Sequence, residues 1–311
     1  MSKEKNFVSA VVYVHNAERR IGSFLQEVIK VLDENFEHSE VICVNDASTD
    51  RSVEEIRKCA SMSGHVSVSL INMSSFHGLE LSMNAGTDLS IGDFVFEFDN
   101  TVMDYDPSWI MKVYRHSLTG YDIVSASPKK KERLSSRLFY TVFERYSDLP
   151  YRMATESFRI LSRRVINRIT SENNTVPYRK AIYAGSGLKT DVLKYDVTLH
   201  QENVIDRREK KYRTSLAVDS LLLFTQLGYR FSIAMTLLMM FMSAFMVIYS
   251  LVTYFMVHPV EGWTTTILFL SVAFFGLFAI LTIIIKYLQL LLNMIFKRKH
   301  YSFESIEKLT K

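Results

Sequence analysis

Three short polar clusters mark where this sequence could do chemistry. They are His15-Asn16, Asn45-Asp46 continuing through Ala47-Ser48-Thr49-Asp50, and Glu97-Phe98-Asp99 with Asp104 and Asp106 close behind. Glu97 and Asp99 lie two apart, so on a strand both side chains point the same way. Neighbouring carboxylates repel unless a cation or hydrogen-bond donors lie between them. Such a pair suits Mg2+ or Mn2+ holding a diphosphate; bridging donors are the other way to satisfy it. Asp46 and Asp50 fall in a polar turn ahead of a helical stretch. An acid there either contacts a ligand or serves as an N-cap or Asx-turn.

The elements that must position these clusters alternate. VSAVVYV (8–14), EVICVND (40–46), VSVSLIN (66–72), DFVFEFD (93–99) and YDIVSAS (121–127) read as strands. Helical stretches fall between them at 18–32, about 52–61, 78–89 and from Pro107 onward. This order predicts an α/β fold of right-handed βαβ units around a mostly parallel sheet, with ligands at the carboxyl ends of the strands. The three clusters each sit at such an end. Beyond position 135 the pattern loosens: a helix near 137–145, the segment FRILS (158–162), a helix to Ile169 and a strand within 192–200.

Composition splits the chain. Residues 1–230 carry 31 basic and 30 acidic side chains, too even a balance to build a phosphate-attracting field for nucleic acid. Cys43 and Cys59 are too few for a disulfide scaffold or a zinc cluster and suit a reducing compartment. Residues 231–260 and 262–285 contain no Asp, Glu, Lys or Arg. A bilayer core takes about 20 apolar residues as helix, so transmembrane helices are expected at 231–257 and 264–285, joined by a short external loop at 258–263. Arg230, Lys286, Lys297, Arg298 and Lys299 flank the pair, whereas the loop has no Lys or Arg. The positive-inside rule then puts both termini in the cytoplasm. Domain boundaries follow at 1–203 for the cytoplasmic domain, 204–230 for an amphipathic helix along the interface, and 286–311 for a cytoplasmic tail.

VNDASTD (44–50), GLELSMNAGTDLSIGDFVFEFD (78–99) and the paired apolar stretches together resemble the family 2 glycosyltransferases. Within that family the chain is most similar to the polyprenyl-phosphate sugar transferases, of the dolichol-phosphate mannose synthase and prophage glucosyl-lipid synthase kind. ESFRILSRRV (156–165), KKYR (210–213) and YLQLLLNMIFKRKHYSF (287–303) resemble segments of that branch. The resemblance implies an A-type glycosyltransferase fold, a nucleotide-sugar donor, and a polyprenyl-phosphate acceptor for cell-envelope glycan assembly. It implies donor contacts at Asp46, toward the base, and Asp99; Asn16 and Glu97, at the same strand ends, are further donor-binding candidates. It makes Asp99 the first acid of an Asp-x-Asp metal motif for Mg2+ or Mn2+, and it places Arg159 and Glu156 in the catalytic region. Arg207, Arg208, Lys211 and Tyr212 fall near the acceptor phosphate.

The chain departs from the family pattern at several of these positions. Thr101 stands where the second metal-binding acid is usual, Met103 where a Gln is usual, and Tyr13 where the first strand usually has Pro. Glu97 or Thr101 would then help Asp99 hold a metal weakly, or Arg and Lys would offset the diphosphate charge. A phosphate acceptor arrives anionic and needs no strong base, which fits an inverting single displacement. A hydroxyl acceptor on a lipid-linked oligosaccharide would need one at Glu156 or near Asp104. A non-catalytic nucleotide-sugar-binding module is the more distant reading. Nothing in the composition excludes a homo-oligomer.

Overall fold

The computed structural model describes residues 3–129, 155–171, 178–198, 207–224 and 301–310, with isolated helical positions within 139–145 and 231–291. In chain order the elements are β1 (Val8–Val14), α1 (Glu18–Asn35), β2 (Ser39–Asn45), α2 (Ser52–Ala60), β3 (Ser67–Met73), α3 (Leu79–Leu89), β4 (Phe94–Phe98), α4 (Ser108–Ser117) and β5 (Ile123–Pro128). They continue as β6 (Phe158–Ser162), α5 (Arg163–Ser171), α6 (Arg179–Gly185), β7 (Thr190–Tyr195), α7 (Arg207–Phe224) and β8 (Phe303–Lys308).

The strands form one sheet in the order β7-β5-β6-β4-β1-β2-β3-β8. β1 pairs in parallel with β2 and β4, β2 with β3, and β5 with β7. All seven residues of β1 are buried, as a central strand covered on both faces requires. Val8, Ala10, Val12 and Val14 pack with residues of α1, α2 and α4, whereas Val11 and Tyr13 pack with those of α3, α5 and α6. The same period of two runs along β4: Phe96 and Phe98 join the first layer, and Val95 and Glu97 face the second. α1 buries Ile21, Phe24, Leu25, Val28, Ile29 and Leu32, a stripe at helical spacing. The chain reverses its sheet order between β1 and β4, so their carboxyl ends flank the crevice where α/β folds bind ligands.

Two strands run against the parallel grain. FRILS becomes β6, antiparallel to both β4 and β5. Residues 303–308, expected as part of a tail, add an antiparallel edge strand to β3. Asn72 donates to Ser305 and Glu307 from its side-chain amide, at 3.0 and 3.1 Å, and Arg57 pairs with Glu307 at 2.9 Å. α7 falls where the juxtamembrane helix was expected, but it is not amphipathic. Its charges crowd the first half, RREKKYR, and its apolar residues the second, so the gradient runs along the helix rather than around it.

No helix among the described residues is long and apolar enough to cross a membrane. The stretches 231–257 and 264–285, and the loop 258–263, lie outside the described residues apart from single helical positions. At those positions Phe231, Leu238, Phe241 and Phe245 are exposed, as are Leu270, Leu277, Leu281, Ile284, Leu288 and Leu291. Gly276 is buried against Met239, a close helix–helix contact within the second compact unit, which holds residues 145–148 and 218–297.

Gly86 lets α3 lie close on the sheet. A methyl group there would meet Val44 Cγ2 at 2.7 Å and Val11 Cγ1 closer still. Valine side chains are stiff, so the clash outweighs the helix propensity of about 1 kcal/mol that alanine adds. Gly86→Ala is therefore expected to destabilise the fold by about 1–3 kcal/mol, read as a lower thermal midpoint. A raised midpoint would show that α3 does not bear on β1 and β2 here.

Candidate active site

Beneath the carboxyl ends of β1 and β4 two arginines are buried side by side. Arg159 lies on β6 directly opposite Glu97 of β4, and both face the second packing layer. Arg179 opens α6 on that same side. Arg159 reaches Glu97 at 3.1 Å, Asp99 at 2.6 Å and Glu156 at 3.0 Å. Arg179 reaches Glu80 at 2.8 Å, Glu97 at 2.8 Å and Asp99 at 2.6 Å. Each guanidinium thus ties Glu97 to Asp99. Tyr183 donates its hydroxyl to Glu97 at 2.9 Å, completing that buried carboxylate's shell.

Both arginine side chains are 1% exposed and Glu97 is fully buried, whereas Asp99 is 13% exposed. Asp99 is therefore the point at which this network opens outward. Burial alone would raise its pKa, but the charges of Arg159 and Arg179 overcome that and hold the carboxyl well below the ordinary carboxylate range. Both arginines are pushed up despite their burial, by Asp99 and Glu156 for the first and by Glu97 and Asp99 for the second. The site presents a carboxylate held in its ionised form by two guanidinium groups.

These residues do not fit a divalent cation as placed. Asp99, expected as primary ligand, has one oxygen on each arginine, and Glu97 is saturated by donors. Thr101 is 4% exposed in the loop after β4. No group of three or more His, Cys, Asp or Glu among the described residues could hold a metal. The bridging that the Glu97–Asp99 spacing demands is supplied by guanidinium donors.

Asp46 is fully buried, with both oxygens engaged. It accepts from the Tyr13 hydroxyl at 3.0 Å and from the backbone N–H groups of His77 and Gly78 at 2.7 and 2.8 Å. It therefore fastens the β3–α3 loop to the ends of β1 and β2, and Tyr13 is its partner. Asn16, with φ of 45°, accepts from the Thr49 backbone at 2.9 Å and so joins the loops after β1 and β2. Asp50 accepts from the Ser52 hydroxyl at 2.5 Å and N–H at 3.1 Å and from Glu18 N–H at 2.9 Å, bonds that hold its pKa down against burial. Asp104 accepts from the buried Tyr195 hydroxyl at 2.6 Å.

The residues expected near an acceptor phosphate divide. Lys211 is exposed, Arg208 lies over the Phe76 ring at 4.8 Å, and Tyr212 is turned inward against Gly78. Arg207 opens α7, and its side chain lies outside the described residues. Sequence reasoning missed Arg179 and Glu80. The signal available was a pair of uncompensated acids, Glu97 and Asp99, needing more positive charge than Arg159 supplies.

A model of glycosyl transferase family 2 matches residues 9–170 of the chain. An uncharacterized glycosyltransferase of Synechocystis sp. is 25% identical over 61% of this chain and 60% of its own length. A prophage bactoprenol glucosyl transferase homolog of Escherichia coli is 26% identical over 60% of this chain and 62% of its own. The undecaprenyl-phosphate 4-deoxy-4-formamido-L-arabinose transferase of Aeromonas hydrophila is 28% identical over 40% and 38% respectively. The chain thus spans about 60% of the length of the first of these relatives. Glucosyl-3-phosphoglycerate synthase from Mycobacterium tuberculosis, in complex with Mn2+, UDP-glucose and phosphoglyceric acid, superposes with a TM-score of 0.51 at 15% identity. The superposition covers 70% of this chain and 79% of that one, and at that identity it shows the A-type fold alone.

The depressed Asp99 pKa sets a pH dependence. The stabilisation is fully present above the ordinary value of about 4 and is lost as pH falls toward the folded-state value. Asp99→Asn is expected to lower the thermal midpoint at pH 7 and to make its fall between pH 5 and 3 shallower than in wild type. Equal acid slopes for the two proteins would show that Asp99 is not held by the arginines.

Proposed function

This chain belongs to glycosyl transferase family 2, and on that premise we propose that it moves a sugar from a nucleotide-sugar donor to a polyprenyl phosphate at the cytoplasmic face of a membrane. The observation that carries this reading is the Asp99 carboxylate, fixed and ionised by two buried arginines at the crevice between β1 and β4. A carboxylate held without reorganisation can orient donor hydroxyl groups. The relatives named for undecaprenyl-phosphate and bactoprenol sugar transfer support the lipid-phosphate acceptor.

Glu156 favours that acceptor over a hydroxyl. Its carboxylate is engaged by Arg159 at 3.0 Å and Lys180 at 4.0 Å, so those cations rather than a substrate hydroxyl set its position. A polyprenyl phosphate brings its own anionic oxygen to the anomeric carbon, in line with the departing nucleoside diphosphate, and the configuration inverts. Lys180 lies at the mouth of the network, 15% exposed and close enough to lower the Asp99 pKa. We assign it to the leaving diphosphate.

Anchoring rests on the charge-free stretches 231–260 and 262–285 and on the exposed apolar positions at helical spacing within them. Both neighbours of that region in sequence, the first half of α7 and β8, belong to the N-terminal compact unit. A chain that leaves this unit and returns to it crosses a bilayer an even number of times, which two spans satisfy.

Membranes carrying the full chain, given a panel of radiolabelled nucleotide sugars, are expected to move label into organic-extractable lipid. Asp99→Ala should abolish transfer, while Glu156→Gln should retain most of it. Label passing instead into a lipid-linked oligosaccharide, with Glu156→Gln inactive, would overturn the phosphate acceptor. Transfer is also expected to survive excess chelator, since guanidinium groups occupy the place of a cation at Asp99. Complete loss in chelator, restored by Mn2+, would refute that.

A further inference from the structure

Within the N-terminal unit the first half of α7 presses one side chain, Tyr212, onto a glycine. Gly78, the residue before α3, has φ of 83°, a conformation that favours glycine. A methyl group on it would lie 2.6 Å from Cε1 and Cε2 of Tyr212, and nearer still to Cζ. Glycine is therefore demanded twice, by the backbone and by the tyrosine ring lying flat on it. Around this plug Phe76 packs edge-on to Tyr212 at 5.9 Å and against His15 at 4.8 Å. Arg208, one turn before Tyr212, covers the Phe76 ring.

Gly78 leads directly into the first turn of α3, where Glu80 lies two residues on. Glu80 Oε2 in turn accepts from the Arg179 backbone N–H at 3.0 Å and from its Nε at 2.8 Å. Arg179 then donates to Asp99 at 2.6 Å. From the Tyr212 plug on Gly78, the first turn of α3, Glu80 and Arg179 lead to the outward-facing carboxylate of Asp99.

We propose that Tyr212 is a positioning residue, which plugs α7 onto Gly78 and through Glu80 and Arg179 sets the orientation of Asp99. This rests on the reading of Asp99 as the site carboxylate and replaces the placement of Tyr212 beside the acceptor phosphate. Arg208 and the exposed Lys210 and Lys211 are left to face an anionic headgroup. The basic helix and the donor-side carboxylate then move as one part.

The test uses the full chain in membranes or detergent, with rates normalised to folded protein. Tyr212→Ala is expected to lower kcat by about 10–100-fold, the range for a slightly misplaced reacting group, with little change in KM for lipid phosphate. Tyr212→Phe, which keeps the plug, should recover most of that loss. Unchanged kcat per folded molecule would overturn the proposal. So would a raised acceptor KM at unchanged kcat with Phe no better than Ala, the signature of a phosphate ligand. Should the wild type transfer no sugar, the proposed function fails, and thermal midpoints of Gly78→Ala, Tyr212→Ala and the double variant still decide the plug. A double variant no less stable than Gly78→Ala alone supports it; strictly additive losses overturn it.

Discussion

Two buried guanidinium groups govern this structure. Removing a charged arginine from water costs several kcal/mol unless carboxylates and aligned acceptors surround it. Here four carboxylates do so, from α3, β4, the loop after β4 and the segment before β6. None of those elements can slide without stranding a charge, and losing a single partner from a buried pair costs about 3–5 kcal/mol. The register of β6 against β4 is fixed by the same demand, since a one-residue slip would carry Arg159 to the opposite face of the sheet. Packing builds the sheet; these ion pairs fix its reaction edge.

What was legible in the sequence followed from periodicity. The five strands of the first half and the helices between them announce themselves by alternation, and the shared face of Glu97 and Asp99 follows from their spacing. Arg159 was reachable because it stands inside a recognisable segment. Arg179 was not, because it sits in a stretch without a motif and a lone arginine in sequence gives no sign of burial. Glu80 reads as an ordinary acid in the first turn of a helix, where negative charge is favoured anyway. Asp46 shows the limit from the other side. Its dense polar neighbourhood advertised a ligand, and the structure shows its acceptors already engaged by Tyr13 and the β3–α3 loop. The departure at Tyr13 and the placement of Asp46 are one feature, because a proline there could not have donated a hydroxyl.

α7 shows how a helix can be misjudged from the spacing of its basic and apolar residues. Charge gathers at one end and hydrocarbon at the other, so no single face of the helix is apolar. Its charged half is held where Tyr212 lies against Gly78.

β8 bears on how the molecule is made. It pairs with β3, yet it is encoded after the whole apolar stretch. While the ribosome works through everything between them, the outer edge of β3 has no partner, and an open strand edge invites association with other chains. The N-terminal unit is not a domain that folds first and is tethered later; its last seam closes only when translation has passed residue 308. A chain cut at residue 224 would retain every described residue of the ion-pair network and still expose that edge. Its solubility, rather than its chemistry, would be the first property to suffer.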